Sequence, residues 1–150
     1  VLVLAVLPVV RRLAVAPASH EHCCFDGLPI DPRHRVRIAT ADDSDNSLSF
    51  CSIGCAEGWV RASGASPRAV YVTDEPTGSE IDIRQATIVQ SRVVVHAGTG
   101  DRRHVFRRTT DAASHAAQHQ GRILAGKRRP FSAEVHSADG PREATHSAMQ

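Results

Sequence analysis

The chain has 150 residues, 41% hydrophobic and 23% charged, which suits one globular domain with one core rather than a disordered polypeptide. Lys and Arg exceed Asp and Glu by 18 − 16 = 2, and aromatic residues make up only 4%. Neither a basic nucleic-acid surface nor a broad base-stacking platform is expected from such a chain. Four Cys and nine His stand out, and all four Cys fall between positions 23 and 55.

The chain opens with the apolar run Val1–Val10, closed by Arg11 and Arg12. It is too short to cross a bilayer alone, which takes about 20 residues. It resembles the apolar part of an export signal, with Ala14-Val15-Ala16 and Ala16-Pro17-Ala18 as small-residue cleavage sites; the alternative is a hydrophobic tail of no targeting value. Residues 1–22 are therefore set apart from the folded domain.

His34 to Thr40 alternates polar and apolar and predicts a half-buried strand. Ala41 to Asn46 has the composition of a turn, and Ser47 to Phe50 alternates again, so the two strands form a hairpin. From Ser52 to Ala62 the apolar positions Ile53, Ala56, Trp59 and Val60 recur at helical spacing, and Gly64 suits a helix end. Arg68 to Thr73 predicts a third strand, followed by a loop from Asp74 to Ser79. The second half repeats this order: a strand over Ala86–His96, a turn over Ala97–Asp101, and a strand over His104–Phe106. A helix then follows from Asp111 to about His119 with Thr110 as N-cap, and a short strand over Arg122–Leu124. A shift of 56 places Phe50 on Phe106 and Trp59 on His115. Each half reads strand–strand–helix–strand, an α+β fold of two successive ββαβ units. Residues 126–150, rich in Ser, Ala, Gly, Pro and charge without periodicity, predict a disordered tail.

The chemistry concentrates in Cys51-Ser52-Ile53-Gly54-Cys55, two thiols four apart where a strand runs into a helix. Residues at this spacing share a helical face, and a helix N-terminus favours thiolate over thiol. Gly54 and Gly58 leave room for close backbone approach. Upstream, His20, His22, Cys23 and Cys24 offer further soft donors, and the intervening hairpin can return them to the first pair. Sulfur with imidazole suits Cu(I) or Zn(II). Two disulfides, or buried unreacted thiols, are the competing readings.

Cys24 together with Phe50 to Cys55 resembles the TRASH and YHS cysteine modules, which place one Cys before a hairpin and a Cys-x-x-x-Cys at the next helix. Over residues 23–125 the chain is similar to the NosL family, accessory copper proteins of nitrous oxide reductase maturation in the bacterial cell envelope. The likeness rests on Gly27 to Ile30, Tyr71 to Asp74, Ile81 to Ala86, Ser91-Arg92, Val105-Phe106 and His119 to Ile123. It implies two ββαβ units, a non-enzymatic role, and exchange of copper with a metalloprotein client. The family's usual Cys-x-x-Cys-Gly-Met-x-Ile aligns with Cys23 to Ile30, so its expected thiol and thioether ligands fall on Asp26 and Leu28. Leucine cannot bind a metal. The methionine expected near Val95–Gly100 is also missing, which leaves His96 as the soft donor there.

Weaker candidates are His115 and His119, spaced i, i+4 on the second helix, which can hold a metal or simply sit at a helix end. Arg102-Arg103 and Arg107-Arg108 read as a solvated face, Asp82 and Arg84 as a structural pair, and Trp59 as core. Phosphate-binding loops, nucleophile elbows and His-Glu-x-x-His patterns are absent from the sequence. The expectation is a soft-metal carrier of the periplasm or cell envelope, with the cytoplasm as the other possible site. Cys24, Cys51 and Cys55 would hold copper(I), with Cys23 or His22 completing the shell. The alternative is a zinc- or disulfide-stabilised protein-interaction module. Ligand number separates them, because a closed four-ligand site favours structural zinc.

Overall fold

A computed structural model describes residues 21–40 and 47–132. Seven strands and two helices follow in the order β1 (Val36–Ala39), β2 (Ser47–Phe50), α1 (Ile53–Ser63), β3 (Ala69–Thr73), β4 (Glu80–Asp82), β5 (Thr87–Gln90), β6 (Arg103–Phe106), α2 (Thr109–Gln118) and β7 (Arg122–Ile123). They make two antiparallel sheets, ordered β2-β1-β3-β4 and β6-β5-β7. In each, the first strand of the unit lies between the second strand and the strand that follows the helix. The α+β reading and the doubled ββαβ order both appear in this topology.

The elements form for local reasons. In β1, Val36 and Ile38 point into the core while Arg37 and Ala39 face outward, as a half-buried strand requires. Ser52 caps α1 by accepting the Cys55 N–H at 3.2 Å, and Gly64 ends it in the left-handed region at φ 66°. Ile53, Cys55, Ala56 and Val60 form the buried face of α1. They pack with Phe50, Val70, Val72, Ile81, Ile88 and Val105 in a core that spans both sheets. Trp59 is only partly buried, its ring 5.7 Å from that of Phe50.

Several expectations are corrected. The strand foreseen over Ala86–His96 ends at Gln90; beyond it the chain bends, and His96 makes only an isolated bridge to Asp101. The apolar run that suggested a longer strand leaves Val93 and Val94 exposed. β4 extends the first sheet where only a loop was expected to lead onward; at three residues it is too short to show alternation. The helix α2 starts at Thr109 rather than after Thr110, with Arg108 at the N-cap and no side-chain cap bond. Order also continues past residue 125. Gly126–Arg128 forms a 3-10 turn, Arg129 donates to the Ile83 and Ala86 carbonyls at 2.9 Å each, and Phe131 is buried in the core. The expected signal run, the turn over residues 41–46 and the end of the tail lie outside the described residues. No helix among them is long and apolar enough to cross a membrane.

Candidate metal centre

The segment before β1 folds back on itself. His22 bridges to Pro29, and the Ile30 N–H donates to the Glu21 carbonyl at 2.8 Å. Within this closure Cys23 N–H donates to the Leu28 carbonyl and Gly27 N–H donates to the Cys23 carbonyl, each at 2.9 Å. Gly27 adopts φ 72°, a conformation glycine takes without steric cost. The Asp26 carboxylate accepts the Leu28 N–H at 3.1 Å, and Cys24 N–H donates to the Ser49 carbonyl at 2.9 Å, which ties the loop to β2.

This loop sets the side chains of Cys23 and Asp26 against the start of α1. Cys51 and Cys55 stand with their sulfurs 3.3 Å apart, and Asp26 Oδ2 lies 3.5 Å from Cys51 Sγ and 3.2 Å from Cys55 Sγ. The donor atoms of Cys23, Asp26, Cys51 and Cys55 all fall within 4.8 Å of one another. An ion about 2.3 Å from each sulfur keeps its ligands within about 4.6 Å of each other. A contraction of a few tenths of an ångström would therefore close the shell. Among the described residues this is the one group of three or more converged donors.

Of the expected ligands, Cys23, Cys51 and Cys55 come together, buried; Cys24 and His22 are exposed and outside the group. Cys24 was expected to join Cys51 and Cys55, and its neighbour takes that place instead. The tight turn after residue 23 carries Cys23 inward and turns Cys24 out, a choice that sequence spacing does not make. All four cysteines are free thiols. Asp26, which stands where the resemblance places a thiol ligand, is the fourth converged donor.

The electrostatics differ from the helix-end argument. Burial pushes the Cys51 and Cys55 thiols upward, and for Cys51 the crowding of Cys55 and Cys23 adds to it. The positive end of α1 is already spoken for: Gly54 N–H donates to Asp101 Oδ2 at 2.6 Å and Cys55 N–H to Ser52. Burial also opposes the charge on Asp26, yet the Leu28 N–H and the thiols of Cys23, Cys55 and Cys51 hold its carboxyl down at about 2. The Asp26 carboxylate and the protonated thiols of Cys51 and Cys55 thus share one small space with Cys23. A cation placed there would favour loss of the thiol protons.

Neighbouring residues frame the group. His96 accepts the Thr99 N–H at Nδ1 (3.3 Å), which leaves the proton on Nε2, 3.7 Å from Asp26 Oδ2. Phe25 lies over α1, where a Cβ at Gly58 would stand 2.9 Å from its ring, and Gly54 likewise admits Asp101 at 3.0 Å. Asp101 was not anticipated. It joins Arg103 at 2.8 Å, and Arg103 in turn meets Glu57 of α1 at 2.6 Å, so Arg103 is a tie between the units and not part of a solvated face. The Asp82–Arg84 pair stands as expected at 2.7 Å.

The comparison with solved structures bears on the two-unit topology. The copper chaperone NosL from Shewanella denitrificans superposes with a TM-score of 0.60, covering 74% of this chain and 90% of that one at 21% identity. This chain has the NosL fold. Comparison with protein-family models and with curated proteins gives no match. In this chain that fold carries a group of three thiols and one carboxylate that could hold a metal.

Proposed function

We propose that the protein binds a soft metal ion, copper(I), through Cys23, Cys51 and Cys55, and passes it to a metalloprotein client in the cell envelope. The observation that carries this reading is the convergence of three buried thiols on one point with a single carboxylate beside them. Soft thiolates select Cu(I) and Zn(II), and three of them satisfy Cu(I) without a fourth protein ligand. Release to a partner thiol or thioether then proceeds by exchanging one sulfur at a time. Phe25 and Leu28 project as exposed apolar side chains from the same loop and offer a partner a dry approach. The NosL fold supports the carrier role over an enzymatic one, since the matched protein is a copper chaperone.

One observation favours a second reading. Asp26 completes a four-donor set, and a closed set of four suits structural zinc. Titration of the reduced protein with Cu(I) and Zn(II) under chelator competition tests both, using wild type and Asp26→Ala. A copper carrier binds Cu(I) well below micromolar concentrations and keeps that affinity without the carboxylate. A zinc-stabilised module loses Zn(II) affinity in Asp26→Ala, and copper does not displace the zinc. Failure of the wild type to bind either ion tighter than micromolar overturns the metal-binding reading.

A further inference from the structure

A second collection of metal-capable side chains lies away from the thiols. An open cavity of about 270 Å³ is lined by His34, Glu75, Val93, His104, His115 and His119, among others. His115 sits on α2 and His119 at its C-cap, four residues apart, with ring centroids 4.5 Å apart. We propose that this cavity is a second metal site, where His115 and His119 chelate a borderline divalent transition cation such as Zn(II) and water fills the rest of the shell.

Two imidazoles at i and i+4 on one helical face can chelate such an ion. The surroundings fix the geometry of His115. Its ring lies 4.2 Å from that of His104 and 5.1 Å from that of Phe106, and its Nε2 lies 3.2 Å from Ser91 Oγ. Ser91 is the outer partner of this ring: in the tautomer whose Nε2–H donates to Ser91 Oγ, Nδ1 carries the lone pair that a metal takes. That nitrogen and both nitrogens of His119 have no hydrogen-bond partner among the described residues.

His104 is a wall of the site and not a ligand. Its Nδ1 lies 3.1 Å from both Glu75 carboxylate oxygens and its Nε2 3.2 Å from the Val93 carbonyl, so both nitrogens are engaged. The Glu75 carboxylate faces both His104 and His34 and supplies the negative charge of the cavity, whose lining also includes Arg33. Two imidazoles and water make a weaker and harder donor set than three thiolates, so the two sites would sort ions by softness.

The test is a Zn(II) titration of the full reduced chain, followed by calorimetry and by the imidazole signals in NMR spectra. Wild type, His115→Ala, His119→Ala and Cys51→Ser are compared. His119 sits at the end of a helix, so its replacement leaves the fold intact, and far-UV circular dichroism checks the other variants. The expected result is a Zn(II)-binding event that shifts the His115 and His119 ring signals. Its affinity falls about tenfold or more in either His variant and is retained in Cys51→Ser. Undisturbed ring signals, unchanged binding in His119→Ala, or loss of the event in Cys51→Ser would each overturn the proposal. The thiol site is read separately through the charge-transfer absorbance of Co(II) bound to sulfur, so either site can fail without the other.

Discussion

The two ββαβ units share a plan and differ in what they do with it. Their helices superimpose by a shift of 56 residues and their first strands by a shift of 51, because the hairpin loop of the second unit is longer. Ala56 of α1 and Ala112 of α2 occupy matching positions, and both are completely buried. Around that common point the units diverge. The first helix buries Ile53, Cys55, Ala56 and Val60, whereas the second buries only Ala112, against Val89 and Phe106. Cys51 and Cys55 correspond to Arg107 and Asp111, and Trp59 to His115. One frame thus carries a buried thiol group at the start of its helix, and the other carries half-buried imidazoles at the end. The difference teaches that the strand order fixes where a site can be built, while a few side chains on each helix fix its chemistry.

The largest expected break in this comparison is in the core. Phe50 and Phe106 end equivalent strands, but Phe50 is fully buried in the main core and Phe106 belongs to the small cluster beneath α2. Phe50→Ala is expected to cost about 3–5 kcal/mol, and Phe106→Ala is expected to cost less. Urea denaturation of both variants checks the order.

The next effect lies in the dependence of stability on pH. Just after β3, Glu75 is half-buried between imidazoles; desolvation opposes its charge, but the His104 and His34 contacts hold its carboxyl at about 2 against a usual 4.5. His104 is raised above its usual 6.5: desolvation opposes this, but the Glu75 hydrogen bond and charge prevail. A lowered acid adds stability above its unfolded value that is lost as pH falls through the folded value, and a raised His adds stability below 6.5 that is lost as pH rises through its folded value. The pair therefore contributes fully between about pH 4.5 and 6.5 and less on both sides. Glu75→Gln is expected to flatten both limbs in thermal melts across pH. Unchanged limbs would remove the pair from the account.

A smaller difference separates the helix ends. Gly64 and Gln120 occupy matching positions, both with positive φ, 66° and 49°. Gly64→Ala is expected to destabilise by about 1 kcal/mol, and Gln120→Gly to stabilise by a fraction of that, since only the second position now carries a Cβ in the left-handed region. The smallest effect is expected at Cys24. Its exposed side chain touches neither core nor thiol group, so Cys24→Ser is expected to change stability by less than about 0.5 kcal/mol.

Much of this arrangement was legible in the residues. Ser52 and Gly64 marked the ends of α1 because capping chemistry is local. The repeated strand–strand–helix–strand order was legible because each unit needs the same hydrophobic periods. The thiols of Cys51 and Cys55 declared themselves by their spacing on one helical turn. What stayed hidden depended on contacts distant in sequence or on the shape of one loop. Val93 and Val94 look like strand residues, yet they are exposed beside the histidine cavity. Asp101 reaches the start of α1 from 47 residues away, and no local pattern announces that. Cys23 and Cys24 are chemically alike and adjacent, so only the closure of the loop by the Cys23, Gly27 and Leu28 backbone bonds decides which one turns inward.

The choice between those two adjacent thiols is also the most direct test. Chelator-competition titration with Cu(I), run side by side on Cys23→Ser and Cys24→Ser, measures it. The account predicts that Cys23→Ser loses more affinity than the 10- to 100-fold that an outer-shell partner is worth, about 100-fold or beyond, while Cys24→Ser binds as the wild type does. Equal binding by Cys23→Ser and wild type, with the loss falling on Cys24→Ser, would contradict it.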